Sequence, residues 1–422
     1  MTAATQFRSD FLRTLQARGY IHQVTHPEEL DEAASKGVVT GYIGFDATAP
    51  SLHVGSLIQI MMLRRLQQAG HRPIVVMGGG TTKVGDPTGR DESRKMLSDA
   101  DIAGNIASIR TVFEKFLRFD DSATGAVMID NDAWLSKFGY VEFLREFGAH
   151  FTINRMLTFD SVKLRLEREQ PMTFLEFNYM LMQAVDYLEL FRRFGCSLQM
   201  GGSDQWGNIV NGVELVRRVD QGQAFGLTTP LLATSSGAKM GKTAAGAVWL
   251  NADLRSPYDY WQFWRNTEDA DVGKFLRLFT DLPLDEIGRL EALQGAEIND
   301  AKKVLATEAT KLLHGETEAL AAQTSAALAF EDGKISDDLP TVEMVRDPLS
   351  MGATALQLLV ASKLVSSNSD GRRQIAGGAI KINDVLVADP QELFRWSEQH
   401  HELHVFKVQL GKKKIVLVKP TP

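Results

Sequence analysis

A loop of small residues ends on a histidine just where the sequence predicts that a helix begins. The stretch Gly44–Ser56, GFDATAPSLHVGS, follows the apolar, β-branched run GVVTGYI and precedes a broad apolar face that reaches Gly70. This pattern predicts a strand, a loop and a helix start. The unpaired N–H groups and partial positive charge of a helix start favour an anionic group. Two interpretations remain, an anion site around His53 and an ordinary turn capped by Ser56.

A second candidate is a polar stripe on the otherwise apolar helix predicted for TFLEFNYMLMQAVDYLEL. Tyr179, Gln183 and Asp186 are spaced by four and three residues, which puts them on one face of a helix. One interpretation is a face turned to solvent. The other is a pocket wall that hydrogen-bonds a small polar ligand, because a carboxylate buried among apolar residues needs a specific partner.

The segment GAKMGKT at residues 237–243 is similar to a phosphate-binding P-loop but does not fit one. A P-loop has four residues between its first glycine and Gly-Lys-Thr, and this segment has three. The strand-like run GAVWL follows it, where a P-loop needs a helix. The glycines of GGGTTKVG are also spaced wrongly for a dinucleotide fingerprint. We therefore set both motifs aside.

The first half of the chain alternates apolar strands with helical patterns. The predicted strands are GVVTGYI, RPIVVMGGG, AVMIDN and SLQMGG, and the predicted helices include DIAGNIASIRTVFEKFLRF, YVEFLREFGAHFTINRML, TFLEFNYMLMQAVDYLELFRRFG and one from about Trp206. Such alternation predicts an α/β fold with a doubly wound parallel sheet. Because ligands lie at the carboxyl ends of such strands, we expect the loops GFDATAPSLHVGS, GGGTTKVGDPTGR and GGSDQ at one rim.

Composition limits the class of protein. The chain has 422 residues, 44% hydrophobic and 23% charged, a globular balance long enough for two or three domains. Its one cysteine, Cys196, excludes a disulfide framework and a cysteine-rich metal site, and we expect it in the core. No apolar segment has the length of a membrane span, and MTAATQFRSDFLRTLQARG lacks the apolar core of a signal peptide.

Charge is distributed unevenly along the chain. The net charge of −7 argues against a general nucleic-acid binder, but residues 351–422 contain 10 Lys and Arg against 6 Asp and Glu, a net +4. The remainder of the chain therefore carries a net −11. Residues 331–351, between the acidic body and this basic module, are acidic and punctuated by proline, and we predict a linker there.

Five blocks carry a family resemblance, and in chain order they are GYIGFDATAPSLHVGS, GDPTGR, YMLMQAVD, QMGGSDQWGN and KMGKT. Together they resemble the bacterial-type tyrosyl-tRNA synthetases, which are class I aminoacyl-tRNA synthetases, over nearly the whole chain. HVGS is similar to the class I signature His-x-Gly-His, and KMGKT to Lys-Met-Ser-Lys-Ser. Ser56 departs from the pattern, because serine cannot carry positive charge. GRRQIAGGAIKINDVLV resembles the S4-type RNA-binding domain of this family.

The resemblance implies a fold and an activity. It implies a Rossmann-like catalytic domain at 1–235, a linker at 331–351 and an S4-like domain at 352–422. It also implies a helical anticodon-side domain at 236–330 that includes the segment KMGKT at 239–243, here called the lysine loop. The enzyme would activate L-tyrosine with ATP to tyrosyl-adenylate and pass the tyrosyl group to the 3′ end of tRNA(Tyr). Mg²⁺ would arrive with ATP, and no tightly bound metal is expected. We also expect a homodimer and, since no transit peptide is visible, a cytoplasmic location without membrane attachment.

The resemblance also implies site residues by position. Those implied for the phosphate chemistry are Thr48, His53, Ser56, Arg90, Arg94, Lys239, Lys242 and Thr243. Those implied for tyrosine are Tyr42 and Asp186 at the phenol, and Asp86, Tyr179, Gln183 and Gln205 at the ammonium group. Those implied for ATP are Gly44, Asp46, His53, Gly55, Gly202, Asp204 and Lys242. RNA contacts are implied for Arg372, Arg373, Lys381, Lys412, Lys413 and Lys414.

Two other functions stay open from the sequence. A tryptophanyl-tRNA synthetase shares the fold, and an indole N–H donates to a carboxylate as a phenol does, although Tyr42, Asp186 and the S4-like segment favour tyrosine. The other is an RNA-binding relative that has lost catalysis, and the intact lysine loop argues against it.

Overall fold

The computed structural model describes residues 6–87, 96–235, 237, 240–243, 246–330, 339–346, 351–396, 405–411 and 414–421, without the side chains of 160–161, 242–243 and 329–330. The residues described divide into two compact units, Met1–Leu254 with Thr267–Ala301, and Arg255–Asn266 with Lys302–Pro422. The domain boundaries predicted from the sequence stay a prediction.

Helices and strands alternate along most of the chain. The strands are β1 (Gln23–Val24), β2 (Thr40–Phe45), β3 (Arg72–Met77), β4 (Val127–Asp130), β5 (Cys196–Gly202), β6 (Phe225–Thr229), β7 (Lys242–Thr243), β8 (Gly246–Ala247), β9 (Thr341–Val345), β10 (Gly352–Thr354), β11 (Ile380–Ile382), β12 (Val385–Leu386), β13 (Leu393–Arg395), β14 (Phe406–Leu410) and β15 (Lys414–Thr421). The 3₁₀ turns are Val54–Ser56, Gly148–His150, Ser203–Gln205, Asp269–Asp271 and Gly295–Glu297.

The helices connect these strands and cover the sheet. They are α1 (Asp10–Arg18), α2 (Pro27–Lys36), α3 (Leu57–Gln68), α4 (Gly79–Thr82), α5 (Asp99–Phe116), α6 (Asp132–Leu135), α7 (Tyr140–Glu146), α8 (Ile153–Met156), α9 (Asp160–Glu167), α10 (Phe174–Phe177), α11 (Tyr179–Phe194), α12 (Trp206–Asp220), α13 (Pro257–Arg265), α14 (Val272–Phe279), α15 (Leu284–Glu291), α16 (Ile298–His314), α17 (Glu316–Phe330), α18 (Ala355–Ala361) and α19 (Asn368–Ala376). In the part of the chain described, no helix is long and apolar enough to cross a membrane.

The main sheet of the first unit has the strand order β1-β6-β5-β2-β3-β4. β1 pairs antiparallel with β6, and the other neighbours are parallel. From β2 the chain adds β3 and β4 on one side, then crosses back and adds β5 and β6 on the other. The order therefore reverses between β2 and β5, which leaves a crevice at their carboxyl ends. The predicted α/β fold with a doubly wound parallel sheet is confirmed.

The core of the first unit joins the sheet to α11 and α12. Ile74 and Val76 of β3, Val185 and Leu188 of α11, and Val213 of α12 are buried in one apolar cluster. Burial on both faces explains why the strands read as continuous apolar runs. Cys196 is a buried free cysteine in this cluster, as its apolar surroundings predict.

One predicted helix of this unit is broken. YVEFLREFGAHFTINRML forms α7, the 3₁₀ turn at Gly148–His150 and α8 instead of one helix. Phe138, Phe143 and Phe147 pack edge to face with ring centroids 5.2–6.0 Å apart, and Gly148 follows directly. Tertiary packing decides the path where glycine weakens helix propensity. The helix predicted from TFLEF is similarly split into α10 and α11.

The second unit contains α13, α16 and α17 and then a smaller α/β part. One sheet of that part has the order β12-β11-β14-β15-β9, and β10 pairs with β13. β9 runs parallel to β15, with Val342 opposite Val418. The stretch predicted as a linker at 331–351 therefore contains a strand. The acidic residues of this stretch made the alternation in TVEMV hard to recognise. In the strand, Val342 and Met344 pack against the core.

Candidate active site

A cavity of about 810 Å³ lies at the carboxyl ends of β2 and β5, where the strand order reverses. The three loops predicted to share one rim all contribute to it. The predicted site residues that line it are Tyr42, Gly44, Asp46, Thr48, His53, Gly55, Ser56, Asp86, Tyr179, Gln183, Asp186, Gly202, Asp204 and Gln205. Residues from positions 42 to 205 of the chain thus meet in one place.

Other predicted site residues cannot be placed in the cavity. Arg90, Arg94, Lys239, Lys412 and Lys413 lie outside the described residues. Lys242 and Thr243 form β7, but their side chains are not described.

Asp186 is the buried carboxylate of the cavity. It is 4% exposed, so the interpretation of the stripe as a solvent-facing surface is wrong for this residue. Its Oδ1 accepts from Trp134 Nε1 at 2.7 Å and its Oδ2 from Asn131 Nδ2 at 2.8 Å. Burial raises the pKa of Asp186 to about 7, although these two hydrogen bonds act to lower it. Each oxygen keeps a lone pair for a further donor.

Sequence reasoning missed both partners of Asp186. Asn131 and Trp134 follow β4 directly, and Asn131 also donates to Thr81 Oγ1 at 3.1 Å. The rule that ligands lie at the carboxyl ends of parallel strands applies to β4 as well, and applied there it would have found them.

Tyr42 of β2 points its hydroxyl into the same region. The side chain is 1% exposed and packs edge to face on Tyr187, with ring centroids 5.3 Å apart. The hydroxyl has no hydrogen-bond partner among the described residues. Burial and the nearby charge of Asp186 raise the pKa of this phenol well above its usual range. A buried hydroxyl without a partner is costly, so a ligand that pairs with it gains affinity.

Three of the four predicted ammonium residues, Asp86, Gln183 and Gln205, belong to one chain of hydrogen bonds. Gln205 Nε2 donates to Asp86 Oδ2 at 3.0 Å, and Asn208 Nδ2 donates to Gln183 Oε1 at 3.0 Å and to Gln205 Oε1 at 3.1 Å. Asn208 is buried and was not predicted. It lies one helical turn after Gln205, a spacing that reveals it only once the cavity is known.

Asp46 lies beside Tyr179. The Tyr179 hydroxyl is 3.3 Å from both carboxylate oxygens of Asp46, and Thr81 Oγ1 donates to Asp46 Oδ1 at 2.9 Å. The carboxylates of Asp46 and Asp86 therefore face the same cavity, and both favour a cationic group there.

The turn at His53 shows which side chain caps the helix start that follows the loop. His53 Nδ1 accepts from the backbone N–H of Gly55 at 3.0 Å and caps the 3₁₀ turn Val54–Ser56, after which α3 begins at Leu57. Ser56 makes no capping hydrogen bond through its side chain, so the interpretation of Ser56 as the cap is wrong. The imidazole takes the cap because its nitrogen reaches the N–H two residues on.

The backbone of the lysine loop approaches this turn closely. Gly241 has φ +90°, and a Cβ atom there would lie 2.6 Å from the backbone nitrogen of Gly55. The lysine loop ends in the hairpin β7–β8 instead of a helix, as expected for a segment that is not a P-loop. Trp249, a residue the sequence did not single out, lines the cavity with its ring centroid 6.4 Å from that of His53.

No metal centre is visible in the described part of the chain, where no group of three His, Cys, Asp or Glu has the geometry to hold an ion.

The predicted RNA-contacting residues that the structure describes with their side chains lie on the surface of the second unit. Arg372 and Arg373 are exposed on α19, Lys381 is exposed on β11, and Lys414 is exposed at the start of β15. Arg373 Nη2 is 2.6 Å from Asp370 Oδ1.

Comparisons with known proteins agree with this geometry. A family model described as class I tRNA synthetases (W and Y) matches residues 34–331, and one described as the SYY-like C-terminal domain of tyrosine–tRNA ligase matches 330–418. A tyrosine–tRNA ligase of Caulobacter sp. strain K31 is 70% identical over 420 residues and 100% of both chains. That of Xanthobacter autotrophicus is 62% identical over 100% of both chains.

A solved structure is similar over the larger part of the chain. It is a C-terminally truncated mitochondrial tyrosyl-tRNA synthetase of Aspergillus nidulans, with TM-score 0.69 and 34% identity over 76% of this chain and 95% of that one.

The relatives also decide between the functions left open. Both curated proteins are tyrosine ligases, and the model that matches the C-terminal region is a tyrosine ligase model, which argues against tryptophan and against a silent relative. Full-length identity of 70% to a curated tyrosine–tRNA ligase shows that the chain belongs to the bacterial-type tyrosyl-tRNA synthetases, class I enzymes that join tyrosine to tRNA.

Proposed function

We propose that tyrosine is activated by ATP inside the cavity at the carboxyl ends of β2 and β5. Tyrosine occupies the end at Tyr42 and Asp186, and ATP the end at His53. The observation that carries the proposal is that every described residue of the tyrosine, ATP and phosphate sets implied by the family lines this one cavity, apart from the side chains of Lys242 and Thr243.

The phenol of tyrosine pairs with Asp186 and Tyr42. The carboxylate of Asp186, held by Trp134 and Asn131, accepts the phenol O–H, and the buried hydroxyl of Tyr42 donates to the phenol oxygen. Phenylalanine offers neither a donor to Asp186 nor an acceptor to the Tyr42 hydroxyl. It therefore forgoes a hydrogen bond worth about 1.5–3 kcal/mol at the charged carboxylate and about 0.5–1.5 kcal/mol at the hydroxyl, in a buried site where water does not replace them. Selection of tyrosine therefore depends on burial.

The ammonium group of tyrosine lies among Asp86, Tyr179, Gln183 and Gln205. The hydrogen-bond chain from Asp86 to Gln183 supports this, because it fixes the orientation of each amide. Asp46, which the family likeness assigns to ATP, also faces Tyr179 and adds negative charge near the ammonium group.

At the ATP end of the cavity, the reaction needs the reactants to be aligned and the phosphate charge to be stabilised by positive groups. A tyrosine carboxylate oxygen attacks the α-phosphorus, the bond to the β-phosphate oxygen breaks, and pyrophosphate leaves with the electron pair. No proton moves, so catalysis rests on alignment and on stabilising the spreading charge. The residues that bind and align the phosphates are His53, Thr48 and Ser56, together with Arg90, Arg94, Lys239, Lys242 and Thr243. Gly44, Gly55, Gly202 and Asp204 lie against adenosine, and Mg²⁺ enters as part of the Mg–ATP substrate.

In the second step a hydroxyl of the terminal adenosine of tRNA(Tyr) attacks the tyrosyl carbonyl and AMP leaves. We propose that the basic surface of residues 352–422 binds this tRNA through an S4-like fold. Phosphate contacts by Arg372, Arg373 and Lys381, together with Lys412, Lys413 and Lys414, would release counterions, so binding weakens as salt rises. The exposure of the four described residues supports this role.

The tRNA contact is tested in the full chain. Ending the chain at Ser350 would remove β15 and leave β9 unpaired, so substitution is the cleaner test. Arg372→Ala with Arg373→Ala should lower tRNA affinity and reduce the salt dependence, by about one in the log–log slope for each lost contact. Arg289→Ala is the matched control, because Arg289 forms a similar exposed pair with Glu286. An unchanged salt slope in the double variant would contradict the assignment.

A homodimer is supported by apolar side chains exposed on α7, α8 and α10 of the first unit. Tyr140 and Val141 of α7 are 65% and 66% exposed, Ile153 of α8 is 58% exposed, and Phe174 of α10 is 67% exposed. Burial of such exposed apolar side chains against a second copy is favourable. Val141→Asp should shift the sedimentation coefficient towards a monomer.

Use of ATP and tRNA fits a cytoplasmic location.

The proposed cavity is tested by tyrosine-dependent exchange between ATP and pyrophosphate. The full chain should exchange with tyrosine and hardly at all with phenylalanine or tryptophan. Asp186→Asn should raise the tyrosine concentration for half-maximal rate by about 10- to 150-fold, the value of a hydrogen bond to a charged group. An unaltered tyrosine requirement would contradict the placement of tyrosine at Asp186.

A further inference from the structure

The segment after the hairpin β7–β8 forms a ladder with the loop that leads to His53. The backbone N–H of Val54 donates to Val248 O at 2.9 Å, and that of Leu250 donates to Leu52 O at 2.9 Å. His53 and Trp249 form an antiparallel bridge between them. Val248 and Leu250 are buried, so the register of the ladder is fixed by their packing.

A pair of side chains closes the far end of this ladder. Ser51 Oγ donates to Asn251 Oδ1 at 2.5 Å and accepts from the backbone N–H of Asn251 at 3.2 Å. Ser51 is 3% exposed. The Asn251 amide also donates to Thr111 Oγ1 at 3.1 Å on α5. These hydrogen bonds connect two segments that are 200 residues apart in sequence, and they also connect both segments to α5.

The ladder continues into the lysine loop. The backbone N–H of Val248 donates to Gly241 O at 3.0 Å, and Lys242 pairs with Ala247 across the hairpin β7–β8. Ala247 is bonded in sequence to Val248. The backbone of Lys242 is therefore placed relative to His53 by one hairpin and one ladder, and the pair Ser51–Asn251 marks where the ladder ends.

We propose that Ser51 and Asn251 are positioning residues for adenylate formation, which hold the lysine loop and the His53 turn in register without touching the reacting atoms themselves. The inference rests on the proposed role of Lys242 at the phosphates. Charge stabilises a transition state only if it is held in place beforehand, and a misplacement of about 1 Å costs roughly 100-fold. Loss of the pair loosens the register and displaces the lysine charge, while the tyrosine end of the cavity is left intact.

The test measures adenylate formation in a single turnover with the full-length protein, together with tyrosine affinity by equilibrium dialysis. Asn251→Ala should slow adenylate formation by about 10- to 100-fold, with the tyrosine Kd within twofold of the original. Ser51→Ala should act in the same direction. The double variant should be no slower than Asn251→Ala, since both changes break one connection. Asn251→Asp keeps the acceptor for Ser51 and should restore most of the rate.

Two control variants separate this role from stability and from the function proposed for the loop. Gln67→Ala removes hydrogen bonds to Arg118 and Thr124 at the other end of α3, and it should leave the rate unchanged. A similar rate loss in Gln67→Ala, additive effects of the two single variants, or a parallel loss of tyrosine affinity would overturn the proposal. If Lys242→Ala is slow and Asn251→Ala is normal, only the positioning role fails. If Lys242→Ala is normal, the proposed role of the loop fails as well.

Discussion

The two ends of the cavity are built from different parts of the protein. At the tyrosine end, buried side chains hold one another, as Trp134 and Asn131 hold Asp186. At the proposed ATP end, backbone turns and a short ladder give the shape around His53. Under the proposed function, this difference means that selectivity depends on the desolvation of buried polar groups and rate on charge that is held in place. Substitutions at the two ends should therefore change different constants.

The largest effect is expected for the lysine loop. Lys242→Ala should slow adenylate formation by about 100- to 1000-fold, because it removes a charge that acts as pyrophosphate leaves. The tyrosine Kd should stay unchanged, which rapid-quench kinetics and equilibrium dialysis measure. Lys36→Ala, which removes an exposed lysine paired with Glu32 on α2, is the control. A Kd that rises as far as the rate falls would assign the loop to the tyrosine end.

A smaller effect is expected from pH, and only at the tyrosine end. Asp186 has its pKa raised to about 7 in the free protein, and the phenol O–H needs the ionised form as its acceptor. Tyrosine binding therefore displaces a proton, so affinity should rise about tenfold between pH 6 and pH 8 and level off above the pKa. Calorimetric titration across this range checks the slope. Asp186→Asn should abolish this pH dependence of tyrosine affinity. A pH dependence that survives in that variant would mean that another group titrates.

Tyr42→Phe should sharpen the comparison within the tyrosine end. The variant loses one hydrogen bond to the phenol, worth about 0.5–1.5 kcal/mol, so preference for tyrosine over phenylalanine should fall by about 2- to 12-fold. The ratio of kcat/KM for the two amino acids in pyrophosphate exchange measures it. Activation of phenylalanine should be nearly unaltered. An unchanged ratio would remove Tyr42 from the recognition of the phenol.

The smallest effect is expected for the residue that departs from the class I signature. Ser56→Ala removes a neutral hydroxyl that does not cap the helix, so adenylate formation should slow by only about twofold, for a loss of roughly 0.5 kcal/mol. The KM for ATP and the rate in a single turnover check this. A loss as large as that of Lys242→Ala would show that the hydroxyl makes a contact specific to the transition state.

The position of the cavity could be predicted from sequence because it follows from local patterns. Alternating strands and helices predict the sheet, and strand ends predict the rim where Asp86 and Asp204 lie. The spacing of Tyr179 and Asp186 follows from the helical period.

The partners within the cavity could not be predicted, because they come from distant parts of the chain. Asn131 and Trp134 are more than 50 residues from Asp186 in sequence. The hydrogen bond between Ser51 and Asn251 joins two loops whose local sequences have no unusual charge and no hydrophobic periodicity. Strand β9 also has a distant partner, β15, which adds to the effect of the acidic residues that obscured its alternation.

The most direct test of the division between the two ends measures one pair of variants in one assay. The rate constant of adenylate formation and the tyrosine Kd are obtained for Asp186→Asn and Lys242→Ala by single-turnover kinetics over a range of tyrosine concentrations. We predict that Asp186→Asn raises the Kd by more than it lowers the rate constant, and that Lys242→Ala lowers the rate constant and leaves the Kd unchanged. Equal changes of both constants in both variants would contradict the division.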